Sequence, residues 1–268
     1  MIRRRPGARA AALLLAAAAV ALALFALPVR PAAAAMPETW VLEDSTTFEI
    51  YQDEQMLGIE EYRLYRTNDT LIVGSALRLT GAGEQSNLPR QKNTTFLRRA
   101  DSSFPLVFQV SEVGRDTMNS KAINCIFSDT TVMIYHEMRG GGKGEAIALP
   151  PGRLYILEPG IYAQVQTIAG DFVQRSQPRR KQPVLIPSAR LVVDLFLTRG
   201  ARERLGQGGH VVETTKVELT DKLTRLVAWV DDQGRMWKME APGQGLRVER
   251  AVPAVAAKPK GKAKAKKG

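Results

Sequence analysis

Between residues 36 and 250 most of the chain alternates apolar and polar positions with a period of two, which places one set of side chains on a buried face and the other in water. In TLIVGSALRL, Leu71, Val73, Leu77 and Leu79 fall on one side; in TTVMIYHEM, Val132, Ile134 and Met138 oppose Met133 and Tyr135. The turn-rich segments YRTNDT, TGAGEQSNLP, RADSSFP, RGGGKGE, LGQGGH, VDDQGR and PGQG separate these runs. Spacing this short favours hairpins and meanders over helical crossovers. The predicted fold is mainly β, a curved antiparallel sheet or incomplete barrel.

One segment breaks the period. In EPGIYAQVQTIAGDFVQ, Ile161, Val165, Ile168 and Phe172 recur at spacings of four, three and four, the stripe of an amphipathic helix, and Pro159 suits a first helical turn. This predicts a helix over 159–174, packed on the concave face of the sheet. PSARLVVDLFLTRG can be read two ways: Ser188 suits a helix cap and Gly200 a helix end, but the β-branched content and the hairpin expected about GQGG favour strand.

Two longer passages, FEIYQDEQMLGIEEYRLYR and LVAWVDDQGRMWKMEAPGQGLRVER, each join strands through a short turn. In this pattern the chain resembles uncharacterised families of exported bacterial β-sheet proteins, similar to the LolA/LolB-like lipoprotein-localisation fold. That resemblance implies an incomplete β-barrel closed by helices around an apolar cavity, over most of 36–250. It carries strand and turn pattern only, with no catalytic motif and no ligand residue.

Charge changes the picture at the ends and not in the middle. The chain has 38 Lys+Arg, 27 Asp+Glu and a net charge of +11. Arg3, Arg4, Arg5, Arg9 and Arg30 at the start, with Lys258, Lys260, Lys262, Lys264, Lys266 and Lys267 at the end, account for the whole excess. The body is neutral, without the basic surplus that phosphate neutralisation requires, so no nucleic-acid partner is expected. MIRRRPGARA is cationic, AALLLAAAAVALALFAL is apolar, and Ala33 and Ala35 occupy the small-residue positions before Met36; residues 1–35 therefore read as a signal peptide, with a retained anchor as the other reading. Export to a periplasmic or secreted location follows. Residues 251–268 are expected to be a disordered tail whose lysines tether to an anionic envelope surface or simply solubilise the chain.

No constellation for catalysis emerges. His136 and His210 are the only histidines and Cys125 the only cysteine, without a paired-cysteine or HExxH spacing, so no metal and no cofactor are expected. Cys125, within INCIFS, reads as a small buried hydrophobe, His136 as a partly buried strand residue and His210 as an exposed turn residue. RGGGKGE lacks the ending of a phosphate loop and reads as a flexible turn. Asp231, Asp232, Gln233 and Gly234 fit a hairpin turn better than a calcium loop.

What remains is apolar material. Ile161, Tyr162, Val165, Ile168, Phe172, Trp229 and Trp237 are the candidate ligand-binding residues, with Met133, Met138, Met236 and Met239 also available; the competing reading is that all of them are core. The expectation is a non-enzymatic envelope protein that binds a lipid or other hydrophobic ligand. The alternative is a structural or protein-interaction module without a pocket.

Overall fold

The computed structural model describes residues 40–80, 91–114, 120–138 and 141–252. Residues 1–35, expected to be a signal peptide, the TGAGEQSNLP turn beyond its first residue and the tail lysines lie outside the described residues.

Among the described residues, fifteen strands form one sheet. The first eight are β1 (Val41–Gln52), β2 (Gln55–Arg66), β3 (Thr70–Leu79), β4 (Gln91–Arg99), β5 (Pro105–Val113), β6 (Lys121–Phe127), β7 (Thr131–Met138) and β8 (Gly141–Ala148). After β9 (Tyr155–Ile156) comes the single described α-helix, α1 (Ala163–Gln174). Then follow β10 (Arg179–Ile186), β11 (Leu191–Gln207), β12 (His210–Thr220), β13 (Arg225–Val230), β14 (Met236–Ala241) and β15 (Leu246–Arg250). Strands β1 to β8 meander outward, β10 to β15 meander back, and β15 pairs antiparallel with β1. Only β9 is parallel to its neighbour, β10.

The sheet therefore ends in β8 on one side and β9 on the other, and among the described residues no ladder joins these edges. Side chains cross the gap instead. Arg190 Nη1 lies 3.1 Å from Glu145 Oε2. Deeper inside, Lys92 Nζ on β4 sits 2.6 Å from Glu112 and 3.5 Å from Glu158, and donates to Pro159 O at 2.9 Å. Glu158 in turn accepts from Ser188 N at 3.0 Å, in the turn before β11. A buried lysine thus ties the two halves of the sheet across the unpaired seam.

The inward sides of the strands and the apolar side of α1 build one core, with Phe48, Phe108, Ile134, Ile168, Phe172 and Leu197 almost fully buried. The helix packs against β11, β12, β13 and β14. Its approach to the β13–β14 turn is so close that a Cβ on Gly170 would stand 2.4 Å from Gly234 O. Cys125 faces this core and burial pushes its thiol pKa up to about 12. His136 is half-buried, its pKa lowered by burial and by Arg190.

The mainly β, open curved sheet with one helix agrees with the sequence pattern, and PSARLVVDLFLTRG becomes strand from Leu191, after a 3-10 turn at Pro187–Ala189. The GQGG hairpin is present too: Gly208 and Gly209 both take positive φ between Gln207 and His210, as a two-residue turn requires. Two expectations need correction. The helix begins at Ala163 and not near Pro159, because Gly160 turns the chain at φ 79° and Lys92 holds Pro159 O. The hairpin expected at RGGGKGE joins β7 to β8, but its turn is shorter than the glycine run: Met138 already pairs with Gly141, and Gly141 to Gly144 form the start of edge strand β8, where Gly144 lies under the ring of Tyr135. A Cβ there would meet the ring at 2.9 Å, so glycine lets the aromatic cover the edge.

Candidate functional site

The helix is buried nearly all round. Ten of its 12 residues are buried, including Gln164, Gln166 and Thr167 on the side away from the apolar stripe. Buried polar side chains need partners. Gln166 donates to Asp44 Oδ2 at 3.3 Å and accepts from Met236 N at 3.1 Å; Gln164 accepts from Glu158 N at 2.5 Å. The polar side of α1 therefore meets Asp44 on β1 and the start of β14, beside the apolar core that the helix shares with the strands.

Glu60, fully buried on β2, takes the place of a helix cap. Its Oε2 accepts from Tyr162 N at 2.9 Å and Ala163 N at 3.1 Å, two of the donors that a helix start leaves free. Burial pushes its pKa up to about 7 from 4.5, against the pull of the backbone N–H groups and the Lys92 charge. Because the folded-state value lies above the unfolded one, the stability linked to its protonation is complete below about pH 4.5 and is lost as pH rises through about 7. Unfolding free energy is expected to fall by about 3 kcal/mol across that window, and Glu60→Gln, which keeps an acceptor for both N–H groups, should flatten the profile. Urea titrations at pH 5 and pH 8 check this; an equally sloped Glu60→Gln profile would contradict it.

Beside the polar side of α1 lies a cavity of about 570 Å³, bounded by β1, β2, β3, the end of β4 and the β13–β14 turn. Tyr62, Leu64 and Leu71 give it a small apolar wall; most of the remainder is charged or polar. Each acid in its lining already has a cation. Glu43 pairs with Arg66, Asp44 with Arg250 at 2.6 Å, and Asp171 with Arg153, Arg175 and Arg180 at 3.3, 2.9 and 3.3 Å. Asp171 also accepts the Tyr155 hydroxyl. Burial opposes its ionisation, but the bonds from Arg175 and Tyr155 and the arginine charges outweigh that and hold the carboxyl below its ordinary range. Arg235, also at the cavity, pairs with Asp231 at 2.8 Å.

Arg98 is the exception. Only 9% exposed, it lines the cavity, yet its Nε and Nη1 have no hydrogen-bond partner and no carboxylate pairs with it among the described residues. Burial lowers its pKa.

The seven residues singled out in the sequence do not line this cavity. Ile161, Val165, Ile168 and Phe172 are packed into the filled core, with Tyr162 against it. Trp229 lies on the outer face, its ring beneath Lys216 and Lys238 and its Nε1 bonded to Glu203 at 2.8 Å. Trp237 bonds Asp231 at 3.0 Å and stacks near Arg250. The polar interior was missed, although a signal existed: strand alternation puts Lys92 and Arg98 on the same face as the buried Phe96. Among the described residues no three of His, Cys, Asp and Glu converge as metal ligands.

No family model and no curated protein matches the chain. Among solved structures it is similar to a β-barrel-like protein of a domain of unknown function, DUF1849, from Brucella abortus. The two share 11% identity with a TM-score of 0.51, over 77% of this chain and 94% of that one. The likeness is one of fold.

Proposed function

We propose that the chain is an exported, non-catalytic protein of the bacterial cell envelope that binds a small amphiphile, with the polar end in the cavity beside α1 and the apolar part against Tyr62, Leu64 and Leu71. The observation carrying this reading is the cavity itself, about 570 Å³ beside the helix. That volume lies in the roughly 300–1,000 Å³ range of small-molecule sites. The filled core under α1 leaves little room for a long acyl chain there, so the lipid or hydrophobic ligand expected from the sequence is narrowed to one with a substantial polar end.

Protein purified without detergent from a periplasm is expected to release a near-stoichiometric amphiphile on organic and aqueous extraction, identified by mass spectrometry. A folded protein that releases nothing would favour the second reading, an interaction module. That reading has its own support in Ile126 and Tyr135, which stand exposed on β6 and β7 next to the free edge of β8.

A further inference from the structure

We propose that the cavity is an oxyanion site, in which the guanidinium of Arg98 pairs with the carboxylate or phosphate of the bound molecule. The inference rests on the reading that this cavity takes a ligand, and it specifies the ligand's charged group. Its basis is the charge inventory of the lining. Glu43, Asp44 and Asp171 are each taken up by arginines other than Arg98. Arg98 lines the open volume as a buried cation without an ion pair, its charge met only at longer range by Asp171 and its buried Nε and Nη1 unpartnered. An uncompensated buried charge is costly, whereas an entering anion supplies the missing charge and hydrogen-bond acceptors together. Guanidinium suits this role because it is permanently charged and its planar donors match the oxygens of carboxylate and phosphate. Arg66, Arg175 and Arg235 line the same volume but are each held by an acid, so Arg98 is the cation there without an ion pair.

Four probes test this on the full chain by calorimetric titration at pH 7: inorganic phosphate, hexyl phosphate, hexanoate and hexanol. Hexyl phosphate and hexanoate are expected to bind, inorganic phosphate to bind more weakly at the same place, and hexanol to bind least. Arg98→Gln should weaken the anionic probes by about tenfold or more, the loss of one charged hydrogen-bonded pair, and leave hexanol unchanged. Arg98→Lys, which keeps the charge without the fork, should fall between. In anion-free buffer Arg98→Gln should melt no lower than the parent chain, since it removes a charge without a partner, and phosphate should raise the melting temperature of the parent only.

Equal binding of hexanol and hexyl phosphate would overturn the oxyanion assignment while leaving a ligand cavity. Binding of no probe would overturn both. Anion affinity unaltered in folded Arg98→Gln would place the anion elsewhere and overturn the assignment. Selectivity between the free ion and the alkyl anions separates a site for a small phosphate from one for an acidic amphiphile.

Discussion

Lys92→Met is expected to lower the unfolding free energy by about 3–5 kcal/mol, the usual cost of leaving a buried charge without its partner. Lys92 is about 6% exposed and Glu158 about 2%, so neither can turn to water when the other is lost. Methionine keeps most of the length of the side chain, and packing alone would therefore change little. The loss should arise from Glu158 and Glu112, and from Pro159 O, which lines the turn into α1. Urea unfolding followed by circular dichroism gives the value. Combining Lys92→Met with Glu158→Gln should recover a large part of it, because the second change removes the stranded charge. Strictly additive losses would mean that the pair does not act as the tie across the β8 and β9 edges.

Asp171→Ala is expected to have an effect of the same order, about 3–5 kcal/mol, for the opposite sign of charge. One carboxylate here serves Arg153, Arg175 and Arg180 as well as the Tyr155 hydroxyl. Arg175 is partly exposed and would rehydrate; Arg180, at 12% exposure and stacked near Tyr155 and Phe172, would not. Since the folded carboxyl titrates below 3.8, its contribution is complete above that value and fades as pH falls through the lower folded one. Thermal melts at pH 7 and pH 3 therefore serve as a check. The Asp171→Ala deficit should be large at pH 7 and smaller at pH 3; a deficit independent of pH would point to packing.

Much of the sheet was legible because strand alternation is a local property. Val73 and Leu77 face the core, and Leu71 the cavity, on the side where their spacing put them, and the turns at VDDQGR and LGQGGH fall where glycine and aspartate place them. The helix was legible from the Ile161, Val165, Ile168 and Phe172 stripe, but its start was not. Glu60, 102 residues before Tyr162, caps it, and no window along the chain contains both. The glycine run of β8 was misread for a similar reason, since the Tyr135 ring that covers Gly144 comes from a paired strand.

The candidate site lay further from view. A curved sheet closed by one helix is expected to leave a pocket under the helix, but the apolar stripe of α1 is packed into the core. Here the other side is buried as well, and the space beside it collects Asp44, Arg98 and Asp171 from β1, β4 and α1. By itself the sequence determined the strands, most turns, the apolar stripe of the helix and the neutrality of the body, since each depends on neighbours within a few residues. Only the tertiary structure decided which charges become partners, that Lys92 bridges the seam and that Arg98 is left without an acid. Charge pairing depends on distances of a few ångströms between strands far apart in the chain, and alternation carries no information about these.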